Sequence, residues 1–468
     1  MATSLFTTRK SHVLIALFPG QGQINPSLQF SKQLINLGID VTLTTSQTAF
    51  SKIKKLPNIE GLSFVPFSDG YDGKFELSSI DDFHVFYSSV KSCGSEFIFN
   101  LIQSNAKKGT PFSHVIYTII MEWVGLVAKK LNIPSTLFWI QPATVFDIYY
   151  YRFTDYSEYF KNSDVKNKII ELPGLPPLSP VDCPSFVFDN VESRNWAVES
   201  IKKQIEMLKS EEHPKILVNT FDALEFDSLR ILKNVTLVGI GPSIPSNFLD
   251  DNSFRADMIE ISSTNYMDWL DSKAKGSVIY IAFGSYSEIS SQLMEEIGQG
   301  LLKCGRPFLW VIRKGKNGEQ LKEKLSCKDE LEKQGKIVSW CSQVEVLKHP
   351  SVGCFLTHCG WNSTLESIAS GMPIVACPIW SDQVCNAKLI QDVWRNGIRV
   401  NEGESGVVER DEFERCIEIA MGDGEEGEQL RKNAKKWKDL AKEAMKENGS
   451  SIVNLKTFAN ELLLDPNE

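Results

Sequence analysis

The side chains of this sequence best suited to chemistry are concentrated between Trp340 and Gln383. Trp340 offers a flat indole on which a base can stack, a contact worth about 1–3 kcal/mol. The segment His358–Ser363 follows an apolar run and leads into a predicted helix. Backbone N–H groups at a helix start suit a diphosphate, and Gly360 lets the backbone approach it closely. These residues predict a site for a nucleoside diphosphate.

Carboxylate and amide groups of the same stretch suit the sugar parts of such a ligand. Glu366 lies one turn into the predicted helix, where it can accept hydrogen bonds from ribose hydroxyls. Asp382 and Gln383 follow a predicted strand and can bind the hydroxyls of a second sugar. The stretch is therefore interpreted as a nucleotide-sugar site.

This stretch resembles, from end to end, the signature box of the plant secondary-product glycosyltransferases, the UDP-sugar-dependent enzymes of glycosyltransferase family 1. Its elements WxxQ, HxGWNSxxE and DQ stand at that family's spacing. The resemblance implies that Trp340 stacks on uracil, while Gln343 and Glu366 hold the ribose. It implies that the other donor contacts come from His358, Trp361, Asn362 and Ser363 at the diphosphate and Trp380, Asp382 and Gln383 at the sugar. The predicted donor site also includes Ser285, Cys341 and Gly360.

Composition limits the classes of partner. The net charge of −9 argues against nucleic acid and anionic membrane as main partners. The apolar run Val13–Phe18 is too short to span a bilayer. The ten cysteines are scattered without a Cys-x-x-Cys pair, so we expect reduced thiols in a cytoplasmic protein. The sequence has no Asp-x-Asp motif, so we expect no metal, and we expect a monomer.

The first half of the chain must position the partner that receives the sugar. Val13–Phe18 and Val41–Thr45 are predicted strands, joined by a loop over Pro19–Asn25 and a helix from Pro26 to about Leu37. This βαβ unit predicts a parallel sheet. Further strands are predicted at Leu62–Pro66, His114–Thr118, Ser135–Trp139, Lys215–Asn219 and Leu237–Gly241, and helices at Asp81–Lys107, Trp123–Leu131 and Ala143–Tyr151.

The second half repeats the alternation of strands and helices. The predicted strands are Ser277–Ala282, Phe308–Ile312, Lys336–Trp340, Gly353–Thr357 and Pro373–Cys377. The predicted helices are Tyr266–Leu270, Gln292–Lys303, Thr364–Ser370, Val384–Trp394, Arg410–Met421, Glu426–Glu447 and Ser451–Leu463. Two successive units of this kind predict an α/β fold with two facing Rossmann-like domains. The family resemblance implies the GT-B arrangement.

We expect an acceptor-binding domain over residues 1–242 and a linker over 243–263. A UDP-sugar-binding domain is expected over 264–450. The resemblance implies that a last helix within 451–468 packs back on the first domain.

The acceptor side departs from the family pattern. The family has a His in the first loop that removes the acceptor's proton and an Asp that orients it, but Gln23 and Thr118 stand at those positions. Gln has no useful basicity and can only donate and accept hydrogen bonds. The predicted acceptor pocket comprises Gln21, Trp123, Trp139 and Phe146, with the alternative, favoured for each aromatic residue taken singly, that it belongs to the core. The run Trp139–Thr144 resembles members that glucosylate anthocyanins, other phenolics or carboxylic acids.

The leading hypothesis is an inverting, metal-independent transfer of glucose from UDP-glucose to a small aromatic or carboxylic acceptor. Gln23 would cripple that activity or bias it to acidic acceptors. The alternative is a UDP-sugar-binding protein with little catalysis, either a natural variant or one altered to trap a substrate. A dinucleotide-dependent oxidoreductase is disfavoured, because Asn25 replaces the third glycine of its fingerprint and Thr44, Thr45 and Ser46 replace its acidic residue.

Overall fold

The structure is a computed structural model. It describes residues 11–51, 53, 57–72, 80–160, 169–188, 195–245, 248, 265–284, 289–313, 315, 321–403 and 406–464. Of the predicted linker, only residues 243–245 and 248 fall within these ranges. The predicted donor residue Ser285 lies outside the described residues.

The first half forms one parallel sheet. Its strands are β1 His12–Ala16, β2 Asp40–Thr44, β3 Leu62–Phe64, β4 His114–Thr118, β5 Ser135–Trp139, β6 Lys215–Val218 and β7 Thr236–Gly239. Their order is β3-β2-β1-β4-β5-β6-β7. The central strands are almost wholly buried, as expected where helices cover both faces. The order reverses between β1 and β4, which opens a crevice at the carboxyl ends of these two strands.

The helices of this half are α1 Gln21–Asn36, α2 Gln47–Phe50, α3 Ile80–Lys107, α4 Glu122–Lys130, α5 Ala143–Arg152 and α6 Asn195–Lys209. The start of α1 corrects the sequence prediction: Gln23 lies in the first turn of the helix and not in a loop. Gly20, in an extended conformation, is the N-cap, and Pro26 lies inside the helix. Helix α6 was not predicted, although Ala197, Ile201 and Ile205 bury one face at a spacing of four residues.

The second half forms another parallel sheet. Its strands are β8 Val278–Ala282, β9 Phe308–Val311, β10 Lys336–Val338, β11 Val352–Thr357, β12 Ile374–Ala376 and β13 Gly397–Arg399. Their order is β10-β9-β8-β11-β12-β13, so the reversal lies between β8 and β11. The edge strand β13 was not predicted. The two parallel sheets confirm the predicted α/β class.

The helices of the second half are α7 Asn265–Asp271, α8 Ser291–Cys304, α9 Lys328–Gln334, α10 Gln343–Lys348, α11 Trp361–Ser370, α12 Gln383–Lys388, α13 Arg410–Met421, α14 Glu425–Ala444 and α15 Ser450–Leu463. Helix α11 begins at Trp361, earlier than the predicted Thr364, because Gly360 provides an extended N-cap. Helix α12 continues into a π-helical turn over Leu389–Val393.

Helix α15 lies against the last strand of the first sheet. The hydroxyl of Ser451 donates to the carbonyl of Gly241 at 2.6 Å. The side-chain amide of Asn454 donates to the carbonyl of Gly239 at 2.8 Å. The ring of Phe458 stands edge-on to His114 of β4, with 5.9 Å between centroids. The end of the chain therefore fastens to the half in which the chain began.

No helix within the described ranges is both long and apolar enough to cross a membrane.

Candidate functional site

The start of α11 is built around a buried histidine. Strand β11 ends at Thr357, and Cys359 adopts a left-handed conformation with φ of 63° that turns the chain into the helix. A Cβ atom at Gly284 or at Gly360 would overlap the ring of His358. The two glycines thus leave room for the imidazole beside the helix start, at the reversal point of the second sheet.

His358 is uncharged at neutral pH. Burial, together with the charge of Arg313, lowers the pKa of His358 to about 4. Its Nδ1 lies 3.2 Å from the hydroxyl oxygen of Thr357. The ring can therefore offer a neutral hydrogen bond beside the N–H groups of α11, but not a positive charge.

The predicted ribose-binding residues lie together. The amide nitrogen of Gln343 donates to the carboxylate of Glu366 at 2.6 Å and to the hydroxyl of Ser363 at 2.9 Å. The Gln343 oxygen accepts from the hydroxyl of Tyr280 at 3.2 Å, which fixes the orientation of the amide. The same hydroxyl lies 3.4 Å from the sulfur of buried Cys341. Neighbouring Trp340 is half-buried.

The predicted sugar-binding residues form a second cluster. The side-chain oxygen of Gln383 accepts from the backbone N–H groups of Ile379 and Trp380, at 3.0 and 3.1 Å. Asp382 is buried, which raises the pKa of its carboxyl. Asn386 donates to Asp382 at 2.7 Å and to the carbonyl of Cys359 at 2.8 Å. The sugar cluster is thereby tied to the turn before α11.

Two residues at the start of α11 also reach into the first half. The indole N–H of Trp361 donates to the carbonyl of Asn219 at 2.7 Å, and Asn362 donates to the carbonyl of Gly22 at 2.8 Å. The one side-chain donor of Trp361 is therefore used across the two halves, and its ring packs beside Trp394. The Gly22 contact places the start of α11 next to position 23.

Gln23 and Thr118 lie at the reversal point of the first sheet, but no hydrogen bond between their side chains is seen in the described structure. Thr118 is fully buried and accepts from the backbone N–H of Phe18 at 3.1 Å. The side-chain oxygen of Gln23 is buried without a partner among the described atoms. Thr118 therefore joins the ends of β1 and β4.

The four residues predicted for the acceptor pocket are only partly brought together. Trp139 and Phe146 pack edge to face and line a small gap with a cavity volume of about 10 Å³. Trp123 lies elsewhere, with its ring against Gly94. Gln21 is half-buried at the start of α1.

Three residues of the site were not predicted. Asn386 stands four residues after Asp382, a helical spacing that could have identified it as a partner. Gln141 donates to Asp382 at 3.2 Å from the run that follows β5. The backbone of Asn219, at the carboxyl end of β6, gave no signal in the sequence, because a carbonyl acceptor is present at every position. No group of His, Cys, Asp and Glu in the described ranges is placed to hold a metal ion.

The chain is similar to several known proteins in sequence and in fold. A family model described as UDP-glucoronosyl and UDP-glucosyl transferase matches residues 195–423. Crocetin glucosyltransferase, chloroplastic, from Gardenia jasminoides is 50% identical, over 97% of this chain and 98% of the relative. Phloretin 4'-O-glucosyltransferase from Malus domestica is 48% identical, over 96% of this chain and 97% of the relative. The crystal structure of Os79 from O. sativa in complex with UDP has a TM-score of 0.83 at 33% identity, covering 96% of this chain and all of that one.

Proposed function

Because this chain belongs to the UDP-glucosyl transferase family and has its two-sheet GT-B fold, we propose that it transfers glucose from UDP-glucose to a small plant metabolite with inversion at the anomeric carbon. The observation that carries this proposal is the continuous cluster from Trp340 through the start of α11 to Gln383. Its central part, the start of α11, lies at the reversal point of the second sheet and is joined to position 23 by the contact between Asn362 and Gly22.

The proposed donor contacts follow the order of the ligand. Trp340 stacks on the uracil, and the hydrogen-bonded pair of Gln343 and Glu366 receives the ribose. The N–H groups at the start of α11 and neutral His358 hold the diphosphate, in a place where a helix start stabilises negative charge. Asp382 and Gln383 bind the glucose hydroxyls.

The proposed chemical step is a direct displacement. An oxygen lone pair of the acceptor forms the new bond to the anomeric carbon as the bond to the UDP oxygen breaks, and the electron pair leaves with UDP. Helix α11 stabilises the charge that develops on the diphosphate. Since a helix start and a neutral imidazole suffice for this, we propose that no divalent ion is required, and that EDTA leaves the rate unchanged.

The proposed acceptor is an aromatic alcohol of low pKa or a carboxylic acid. A hydroxyl acceptor must lose its proton during attack, and Gln23 cannot take it. A carboxylic acid, with a pKa near about 4, is already ionised at neutral pH and needs no base. Acidic acceptors are therefore favoured. The neutral-phenol and carboxylate classes can be compared directly in one assay.

Mass spectrometry of the products from UDP-glucose and a mixed panel of phenols and carboxylic acids tests the proposal. We expect a glucoside heavier than the acceptor by the mass of one hexose less water, formed fastest with a carboxylate because that acceptor is already ionised. UDP-galactose and UDP-glucuronate serve as donor controls and are expected to give less product. Tight binding of UDP-glucose without product from any acceptor would instead support a sugar-nucleotide-binding protein.

The remaining parts of the proposal concern the molecule in its cell. We propose a monomer in the cytoplasm, with domains bounded as predicted from the sequence. Light scattering of the purified chain tests the first statement, and a fluorescent fusion expressed in leaf cells tests the second. The chloroplastic name of the Gardenia relative makes chloroplast fluorescence the outcome that would contradict the proposed location.

A further inference from the structure

The carbonyl of Gly22 lacks its usual helical partner. In an α-helix the N–H of each residue bonds to the carbonyl four residues earlier. Pro26 stands four residues after Gly22, inside α1, and proline has no N–H. In an α-helix the ring of a proline also clashes with the carbonyl four residues earlier, which disfavours the regular position of that carbonyl. One carbonyl in the first turn of α1 is therefore available to a donor from outside the helix.

Asn362 provides that donor. Its side-chain nitrogen lies 2.8 Å from the Gly22 oxygen, although the two residues are 340 positions apart. Asn362 is the second residue of α11, whose start is the proposed diphosphate site. Gly22 immediately precedes Gln23, which stands where an acceptor oxygen must approach. One hydrogen bond thus connects the acceptor end of the site to the leaving-group end.

We propose that Pro26 is a positioning residue for glucose transfer: because it has no N–H to donate within α1, it leaves the Gly22 carbonyl for Asn362 and so sets the distance between the two halves of the site. The inference rests on the proposed function, because it requires α11 to hold the diphosphate. Pro26 is itself buried in α1 and acts only through the carbonyl of Gly22.

An alanine at position 26 would restore the N–H and return the Gly22 carbonyl to the helix. The acceptor and the anomeric carbon must be aligned to within a fraction of an ångström, so a small displacement lowers the rate of the chemical step. Donor contacts lie within the second half and are left in place. Pro26→Ala is therefore expected to lower kcat about tenfold, while the affinity for UDP changes less than about twofold.

If the role of Pro26 were purely structural, any loss of kcat in Pro26→Ala would be accompanied by a loss of stability. Alanine has the highest helix propensity and proline the lowest, so Pro26→Ala is expected to keep or raise the melting temperature. The contact between Trp361 and Asn219 still joins the halves in the variant. A lower kcat in a protein of unchanged or higher stability separates positioning from folding.

The test is a double-mutant cycle with a carboxylate acceptor at saturating UDP-glucose. The four proteins are the unmodified chain, Pro26→Ala, Asn362→Ala and the double variant, with kcat, the UDP dissociation constant and the melting temperature measured for each. If Pro26 acts through Asn362, Pro26→Ala has no further effect on kcat in the Asn362→Ala background. Ser27→Ala, a change of a buried neighbour in α1 that leaves the Gly22 carbonyl untouched, is expected to keep the original kcat.

An equal drop in kcat with and without Asn362, or no drop in Pro26→Ala itself, would overturn the inference. Absence of any product from the unmodified chain would instead overturn the proposed function. In that case the melting temperatures still test the contact. Asn362→Ala is expected to lower the melting temperature when Pro26 is present and to have less effect in the Pro26→Ala background. Equal shifts in both backgrounds would count against the contact.

Discussion

At the scale of single residues, the site depends on neutral hydrogen bonds more than on charge. His358 is kept uncharged by burial, and Gln23 can exchange hydrogen bonds but cannot accept a proton. Thr118, at the position expected to orient a catalytic base, uses its oxygen to accept from the backbone of Phe18. Under the proposed function, these residues align the reactants and stabilise a leaving diphosphate, and the acceptor arrives already ionised or loses its proton to water.

The first prediction concerns Gln23→His. A positioned base contributes about 10²–10⁴-fold in rate, and we expect the lower end of that range because Thr118 cannot stabilise a charged imidazole as an Asp would. The measurement is the initial rate with one phenol and one carboxylic acid for both proteins. The phenol rate should rise about 10²-fold and the carboxylate rate should change little. Equal phenol rates in the two proteins would show that position 23 is not the base position.

The second prediction concerns the base of the donor. Trp340→Ala removes the half-buried ring and should weaken UDP binding by about 1–3 kcal/mol, the usual contribution of a stacked base. Titration calorimetry with UDP measures this loss. The same titration with Trp269→Ala, a change of another partly buried indole that lies on α7 outside the site, is expected to give the original affinity. Unchanged affinity in Trp340→Ala would remove this stretch as the uracil site.

At the scale of elements, the features that could be predicted are those that leave a local pattern in the sequence. Contacts between residues distant in sequence leave no such pattern. Buried parallel strands such as Ser135–Trp139 were predicted to the residue, because a continuous apolar run is a local property. The start of α11 was placed three residues late, since Trp361 was interpreted as a ligand and not as the first residue of a helix. The donor cluster was predictable because its polar residues fall within one stretch, Trp340–Gln383, at a recognisable spacing. The joining contacts of Trp361 and Asn362 were not, because their acceptors are backbone carbonyls distant in sequence.

The third prediction concerns the attachment of α11. Trp361→Phe keeps most of the ring but leaves the Asn219 carbonyl without its donor, which should cost about 1–3 kcal/mol of unfolding free energy. Urea denaturation measures this loss. Trp310→Phe is a matched control, because Trp310 is also buried but its indole N–H has no partner among the described atoms. An equal loss in both variants would mean that ring volume alone, and not the hydrogen bond, explains the effect.

At the scale of the whole molecule, two sheets meet at their carboxyl edges and the chain returns to its first sheet through α15. His114 of β4 lies beneath this helix, edge-on to Phe458 and 2.8 Å from the hydroxyl of Thr136. Burial, with the charge of Lys215, lowers the pKa of His114 to about 4. The covering helix therefore links the stability of the assembled molecule to pH.

The fourth prediction concerns the direction in which the free energy of unfolding changes with pH. Between about pH 6.5 and 4 the unfolded chain binds a proton at His114 that the folded protein does not, so stability is complete above this window and falls as pH is lowered. One such group contributes a slope of up to about 1.4 kcal/mol per pH unit. His114→Gln should flatten the dependence of unfolding free energy on pH by up to that amount. Parallel curves for the two proteins from about pH 7.5 to about pH 4.5 would contradict it.

The contacts that join the two halves have a consequence for how this kind of protein diversifies. Trp361, Asn362, Ser451 and Asn454 all donate from side chains of the second half to backbone carbonyls of the first. Almost any substitution in the first half leaves the backbone carbonyl at that position in place. These four contacts therefore depend mainly on the side chains of the second half. The first half can accumulate mutations at most other positions and remain docked on the second half, as long as its side chains that cross to the second half, such as Gln141 and Asp182, are kept. A chimera that pairs this second half with the first half of a relative should therefore assemble and turn over that relative's acceptor.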